Sequence, residues 1–175
     1  MIAMAYASAS AARAAETSSQ PVSSHSTIDA LFPYAAPTVT FEDARVVHRV
    51  KYNDNWFMVI HVKFRIKGGL SVPLKMYAYF YDDSDGKALD GPEEGYMHYK
   101  TSSGKVYAAS PDFTPSLNDA VYSDFQIYIP YEAFNLEGNK GDEYSLKYFL
   151  TINEQLDDDN RQIAKSGWYK FGLKY

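Results

Sequence analysis

The sequence predicts an all-β fold, a single antiparallel β-sandwich of about eight strands, C2-like or immunoglobulin-like, and three features carry that expectation. From Trp56 to Ile66, Met58, Ile60, Val62, Phe64 and Ile66 alternate with Phe57, Val59, His61, Lys63 and Arg65. Such a period of two describes a strand with one apolar face, because successive side chains leave opposite sides of a sheet. Comparable alternation returns at Pro73 to Tyr81, Val121 to Ile129 and Tyr144 to Asn153. Clusters of Gly, Pro, Asn, Asp and Ser separate these runs, as hairpin and loop chemistry requires.

A chain of 175 residues with 46% hydrophobic residues has enough apolar surface for one core and a tail. We assign residues 1–37 to an Ala/Ser-rich tail and linker and 38–175 to the sandwich. Met1 to Ala15 has Arg13 as its only basic residue and lacks the charged start and strongly apolar stretch of a secretory signal. Ala9-Ser10-Ala11 would nonetheless suit a signal peptidase, so cytoplasmic and secreted locations both stay open. The polar run Thr17 to Thr27 reads as a linker, and the tail as disordered or partly helical, with Ile28, Leu31, Phe32 and Tyr34 packing a short turn on the sandwich.

Ala44 to Tyr52 and Trp56 to Ile66 flank Asn53, Asp54 and Asn55, which tolerate a left-handed backbone and read as a three-residue hairpin loop. In that register Tyr52 faces Trp56, Val50 faces Met58, His48 faces Ile60 and Val46 faces Val62. Arg45, Arg49, Lys51, Lys63 and Arg65 share the opposite side. Gly68-Gly69 turns the chain into Pro73 to Tyr81, with Leu74, Met76, Ala78 and Phe80 inward and Lys75, Tyr77, Tyr79 and Tyr81 outward. Asp82 to Glu94 is an acidic loop, and Tyr96 to Lys100 pairs with Lys105 to Ala109 around Ser102-Ser103-Gly104. After irregular Pro111 to Asn118, the next strand places Phe125, Ile127 and Ile129 inward. It ends at Pro130, which has no N–H to donate. Tyr131 to Leu136 reads as a helical turn, Leu146, Tyr148, Leu150 and Ile152 as a further inward face, and Ile163 to Tyr175 as a strand or strand pair around Gly167.

The chemistry-bearing patterns are sparse. A formal charge of −5 argues against nucleic acid as a partner, because phosphate contacts require clustered Lys and Arg. No apolar run reaches the ~18 residues needed for a membrane span. The absence of cysteine removes disulfides, thiolate metal sites and a Cys nucleophile. Asp82, Asp83 and Asp85 on a tight turn are candidate calcium ligands, which the fold would have to bring together with Asp157 and Asp159. That turn is no EF-hand, since Gly86 at the turn position places Tyr81 and Pro92 where carboxylates belong. In the register above, His48 points to the core and His61 outward, which separates the two as metal or acid-base partners. No Gly-x-Ser-x-Gly elbow or HExxH pair occurs, so the expectation is a chain that is not an enzyme.

The 16 tyrosines carry the best functional signal. Tyr77, Tyr79 and Tyr81 on one strand face, with Lys75 beside them, form a candidate binding stripe, because an amphipathic ring suits protein or sugar recognition.

Several strings go beyond periodicity: Val46-x-His48-x-Val50, Met58-x-Ile60-His61-x-Lys63-Phe64, Ala78-Tyr79-Phe80-Tyr81, Thr101-x-Ser103-Gly104-Lys105-Val106, Phe113-Thr114-Pro115, and Tyr122-x-Asp124-Phe125 through Ile129-Pro130-Tyr131. Over Phe41 to Tyr175 the chain resembles an uncharacterised β-sandwich module of bacterial multidomain proteins. That module accompanies caspase-like or trypsin-like peptidase domains, zinc ribbons or helical repeats. The resemblance implies an accessory role with no catalytic residues to carry over.

The expectation is therefore a non-catalytic interaction or adaptor module for a protein partner. Two alternatives accompany it: a secreted or surface domain binding carbohydrate or calcium, and a structural subunit that forms homo-oligomers by strand addition.

Overall fold

The computed structural model describes residues 36–136, 141–156 and 160–174, within a compact unit spanning Ala35–Tyr175. Residues 1–35 of the expected tail and linker lie outside the described residues. Eight strands follow in order: β1 (Thr38–Tyr52), β2 (Asn55–Lys67), β3 (Leu74–Asp82), β4 (Tyr107–Ala109), β5 (Asp119–Pro130), β6 (Glu143–Gln155), β7 (Asn160–Lys165) and β8 (Tyr169–Lys174). Single 3-10 turns occur at Met97–Tyr99 and Tyr131–Phe134. The expected strand at Tyr96 to Lys100 is thus a 3-10 turn tied to the following chain by a lone Lys100–Val106 bridge.

One sheet runs β1, β2, β5 and the other β4, β3, β6, β7, with β8 also on β6; all pairings are antiparallel. Strands one, two and five opposite three, six and seven is the immunoglobulin-like arrangement of the two expected, with the short β4 joined to the second sheet. β7 pairs with the Thr151–Gln155 end of β6 and β8 with its Glu143–Tyr148 end, so the two are successive pieces of one edge row. Ser166 bridges the break: its N–H donates to the Leu150 carbonyl at 2.9 Å and its hydroxyl accepts the Leu150 N–H at 2.8 Å.

The inward faces read from alternation are the faces that pack. Met58, Ile60, Val62, Phe64 and Ile66 of β2 meet Leu74, Met76, Ala78 and Phe80 of β3 and Leu146, Tyr148, Leu150 and Ile152 of β6, all buried. Each such aliphatic or aromatic side chain contributes about 1.5–3 kcal/mol of transfer free energy, which fixes the two-layer arrangement. Phe113 and Tyr122 close one end over Phe64, with ring centroids at 6.1 and 4.7 Å. At the other end Phe134 and Phe171 pack on Phe80 at 5.0 and 6.2 Å.

The first hairpin departs from the three-residue loop. Tyr52 pairs with Asn55, leaving Asn53 and Asp54 as a two-residue turn with φ of 45° and 64°, both left-handed as a type I′ turn requires. That choice shifts the expected register by one residue. A β-bulge shifts it by a second, because Val50 pairs with Phe57 but Val47 with Val59, so His48 and Arg49 together oppose one residue of β2, and the expected inward face returns before the bulge. Val46 therefore pairs with Ile60, not Val62. Val50 and Tyr52 turn outward, where Tyr52 meets Phe57 and Tyr128 at 6.3 and 6.5 Å.

Arg49 takes a left-handed φ of 58° at this bulge, and its N–H donates to the Tyr131 hydroxyl at 2.8 Å. Tyr131 also lies 3.0 Å from His48 Nδ1, so one phenol from the 3-10 turn clamps both bulge residues. A non-glycine residue in this conformation costs about 1 kcal/mol. Arg49→Gly is accordingly expected to raise the unfolding free energy by about 0.5–1 kcal/mol in urea denaturation.

Candidate functional site

Alternation places Lys75, Tyr77, Tyr79 and Tyr81 on the outer face of β3, and the pairing sets further aromatics beside them. Tyr79 pairs with Tyr107 of β4 and with Phe149 of β6. Tyr77 lies 6.4 Å from Tyr79 and 6.1 Å from Tyr107, and Tyr79 lies 5.3 Å from Phe149 with planes 27° apart. At 5.3 Å two rings cannot lie side by side in one plane, so the Tyr79 and Phe149 faces overlap. Tyr81 and Phe149 meet Trp168, between β7 and β8, edge-on at 5.0 and 5.1 Å. Rings from four rows of the sheet thus form one continuous patch, and Trp168 at its end is 51% exposed.

Lysines border the patch. Lys75 pairs with Asp112 at 2.9 Å, which raises its pKa. Lys165 lies 4.0 Å over the Phe149 ring and Lys147 5.3 Å over Trp168, both cation–π contacts. Burial pushes the Tyr77 and Tyr79 phenols up, so both hydroxyls stay protonated donors across ordinary pH. The chemistry available is apolar burial with hydroxyl and ammonium donors, which is the chemistry of recognition.

The sequence missed Tyr107, Phe149 and Trp168. Phe149 was within reach, since it falls between the inward Tyr148 and Leu150 and must point outward. Trp168 joins the patch through the β7–β8 break, for which the residue pattern carries no signal.

In the acidic turn each of the three aspartates has partners within the chain. Asp82 accepts the Ser84 N–H at 2.7 Å and the Ser84 hydroxyl, which hold its carboxyl below the usual range. Asp83 is taken by Lys170 at 2.8 Å and Lys147 at 3.4 Å, and Asp85 by Lys87 at 2.6 Å. Asp157, Asp158 and Asp159, the other expected calcium ligands, lie outside the described residues. Among the described residues no group of three His, Asp or Glu converges as a metal site.

The cationic hairpin face is largely neutralised. Arg45 and His61 approach Asp124 at 4.0 and 2.5 Å, Lys63 meets Glu42 at 2.8 Å, Arg65 pairs with Asp119, and Lys51 pairs with Asp54 at 3.0 Å. His61 does point outward. The bulge carries His48 to the mouth of the sandwich, where its ring packs 6.3 Å from Tyr131 and from Phe171. His48 and His61 serve separate contacts, and no acid-base pair forms between them. No described helix is long and apolar enough to cross a membrane.

Burial, then the Arg49 charge, lower the His48 pKa, and a hydrogen bond to the Gly172 backbone only partly opposes them. The folded protein therefore binds this proton less readily than the unfolded chain. Its contribution to stability is complete above the ordinary value of about 6.5 and is lost as pH falls toward the lower folded value. Melting temperature should drop from about pH 7.5 to about pH 5.5 in the wild type, and His48→Gln should flatten that slope.

No protein-family model, curated protein or solved structure matches this chain.

Proposed function

We propose that the chain is a non-catalytic β-sandwich binding module that engages a protein partner through the outer aromatic face of the second sheet. The observation that carries this reading is the continuous patch of Tyr77, Tyr79, Tyr81, Tyr107, Phe149 and Trp168, which places large apolar rings at the surface. Isolated surface aromatics need no explanation, but a contiguous patch edged by polar groups marks a contact site. The resemblance to accessory modules points the same way.

Two features favour a protein over a sugar. Tyr79 overlaps Phe149 and is flanked by Tyr77 and Tyr107, and Lys165 lies over the Phe149 ring, so much of the ring-face area that would stack on a pyranose is already in use. The bordering ammonium group of Lys165, which has no ion pair among the described residues, also suits carboxylates and backbone carbonyls. The partner chemistry is thus a polypeptide segment with acidic residues beside apolar ones.

Affinity capture from an extract of the source cells, comparing wild type with Tyr79→Ala and Trp168→Ala variants, tests the reading. A polypeptide held by wild type should bind each variant at least about tenfold more weakly when measured by calorimetry. Equal retention by all three proteins defeats the proposal. A glycan-array signal that disappears in the same variants replaces it with the carbohydrate reading, and a monomer–dimer shift abolished by them makes the partner a second copy.

A further inference from the structure

Beside the β1 bulge lies a pocket of about 730 Å³, within the size range of small-molecule sites. Its described wall includes Arg49, Trp56, Tyr131, Leu136, Leu173 and Lys174. Trp56, Leu136 and Leu173 supply apolar surface. Glu132 is the one carboxylate among the described wall residues.

Charge accounting singles out Arg49. Of the other hairpin cations, Arg45, Lys51, Lys63 and Arg65 each face a carboxylate, and Lys67 stands at the far end of β2, away from this pocket. Lys174 is engaged by Glu143 at 3.1 Å. Among the described residues the Arg49 guanidinium has no ion pair, and it lines this pocket. Its position is also held against a backbone cost: Arg49 keeps φ 58° at the bulge under the Tyr131 hydroxyl. Bulges re-aim side chains, and backbone strain of this kind persists where surrounding contacts enforce it. A single unpaired guanidinium above an apolar floor matches one negative charge on a hydrophobic body.

We propose that this pocket binds a small monocarboxylate with an apolar body, Arg49 pairing with the carboxylate while Trp56, Leu136 and Leu173 cover the body. The site is distinct from the aromatic face and holds whether or not that face binds a partner.

The chain has two tryptophans, and each reports one site, Trp56 the pocket and Trp168 the aromatic face. Titration of the ¹⁵N-labelled full chain with naphthalene-2-carboxylate should move the Trp56 indole N–H signal saturably and leave that of Trp168 in place. Naphthalene-2-carboxamide, of the same shape without the charge, should bind at least about tenfold more weakly. Arg49→Gly, which suits the backbone, and Arg49→Gln should each lose at least about tenfold in affinity for the acid. The proposal is overturned by the absence of a saturable Trp56 shift, by equal affinity for acid and amide, or by unchanged affinity in both variants. A shift confined to Trp168 would assign the probe to the aromatic face instead and overturn the pocket site.

Discussion

The inner face of β2 is the constraint on which the remaining structure rests. Met58, Ile60, Val62, Phe64 and Ile66 are all almost completely buried, and β2 lies between β1 and β5 with ladders on both sides. Displacing β2 by one residue would bring His61, Lys63 and Arg65 into the interior and expose all five apolar side chains. The cost of burying those charges far exceeds anything a turn can impose. Neighbouring strands therefore adapt to β2. β1 inserts Glu42 and the His48–Arg49 bulge, and β5 inserts one residue opposite Lys63, so that each follows a register it could not otherwise keep.

That hierarchy explains which parts of the fold were legible in the sequence. Inner faces of β2, β3, β5 and β6 could be read because burial imposes a strict period of two over many residues. The I′ turn was misjudged because Asn53, Asp54 and Asn55 are all competent turn residues, and their identities do not say which two take the left-handed backbone. The compensating bulge was invisible for the same reason. Lys51 alternates with the other cations in the sequence, yet beyond the bulge it falls on the opposite side of the hairpin. At Tyr96 to Lys100 the Ser102-Ser103-Gly104 turn suggested one arm of a hairpin, but the left-handed Tyr96 and the Met97–Tyr99 turn leave no extended ladder.

The candidate site was half legible. Lys75, Tyr77, Tyr79 and Tyr81 share a face by local alternation alone, which needs no knowledge of neighbours. Tyr107 and Trp168 enter through strand order, and strand order is a long-range property. Electrostatics show the same division. Arg65 and Asp119, or His61 and Asp124, are distant in sequence and meet only because β5 pairs antiparallel to β2. A face that is basic when one hairpin is read alone becomes nearly balanced once its neighbour is in place, and the surface contrast moves to the aromatic side of the other sheet.

The interruptions along the rims carry a consequence for how the molecule meets copies of itself. β1 and β5 are broken by bulges, β7 and β8 divide one rim at Ser166, and β4 offers only Tyr107–Ala109. A straight, unbroken row of free amides and carbonyls would act as a template for fibrous growth. Among the described residues every such row is short or kinked, which disfavours self-propagating stacks.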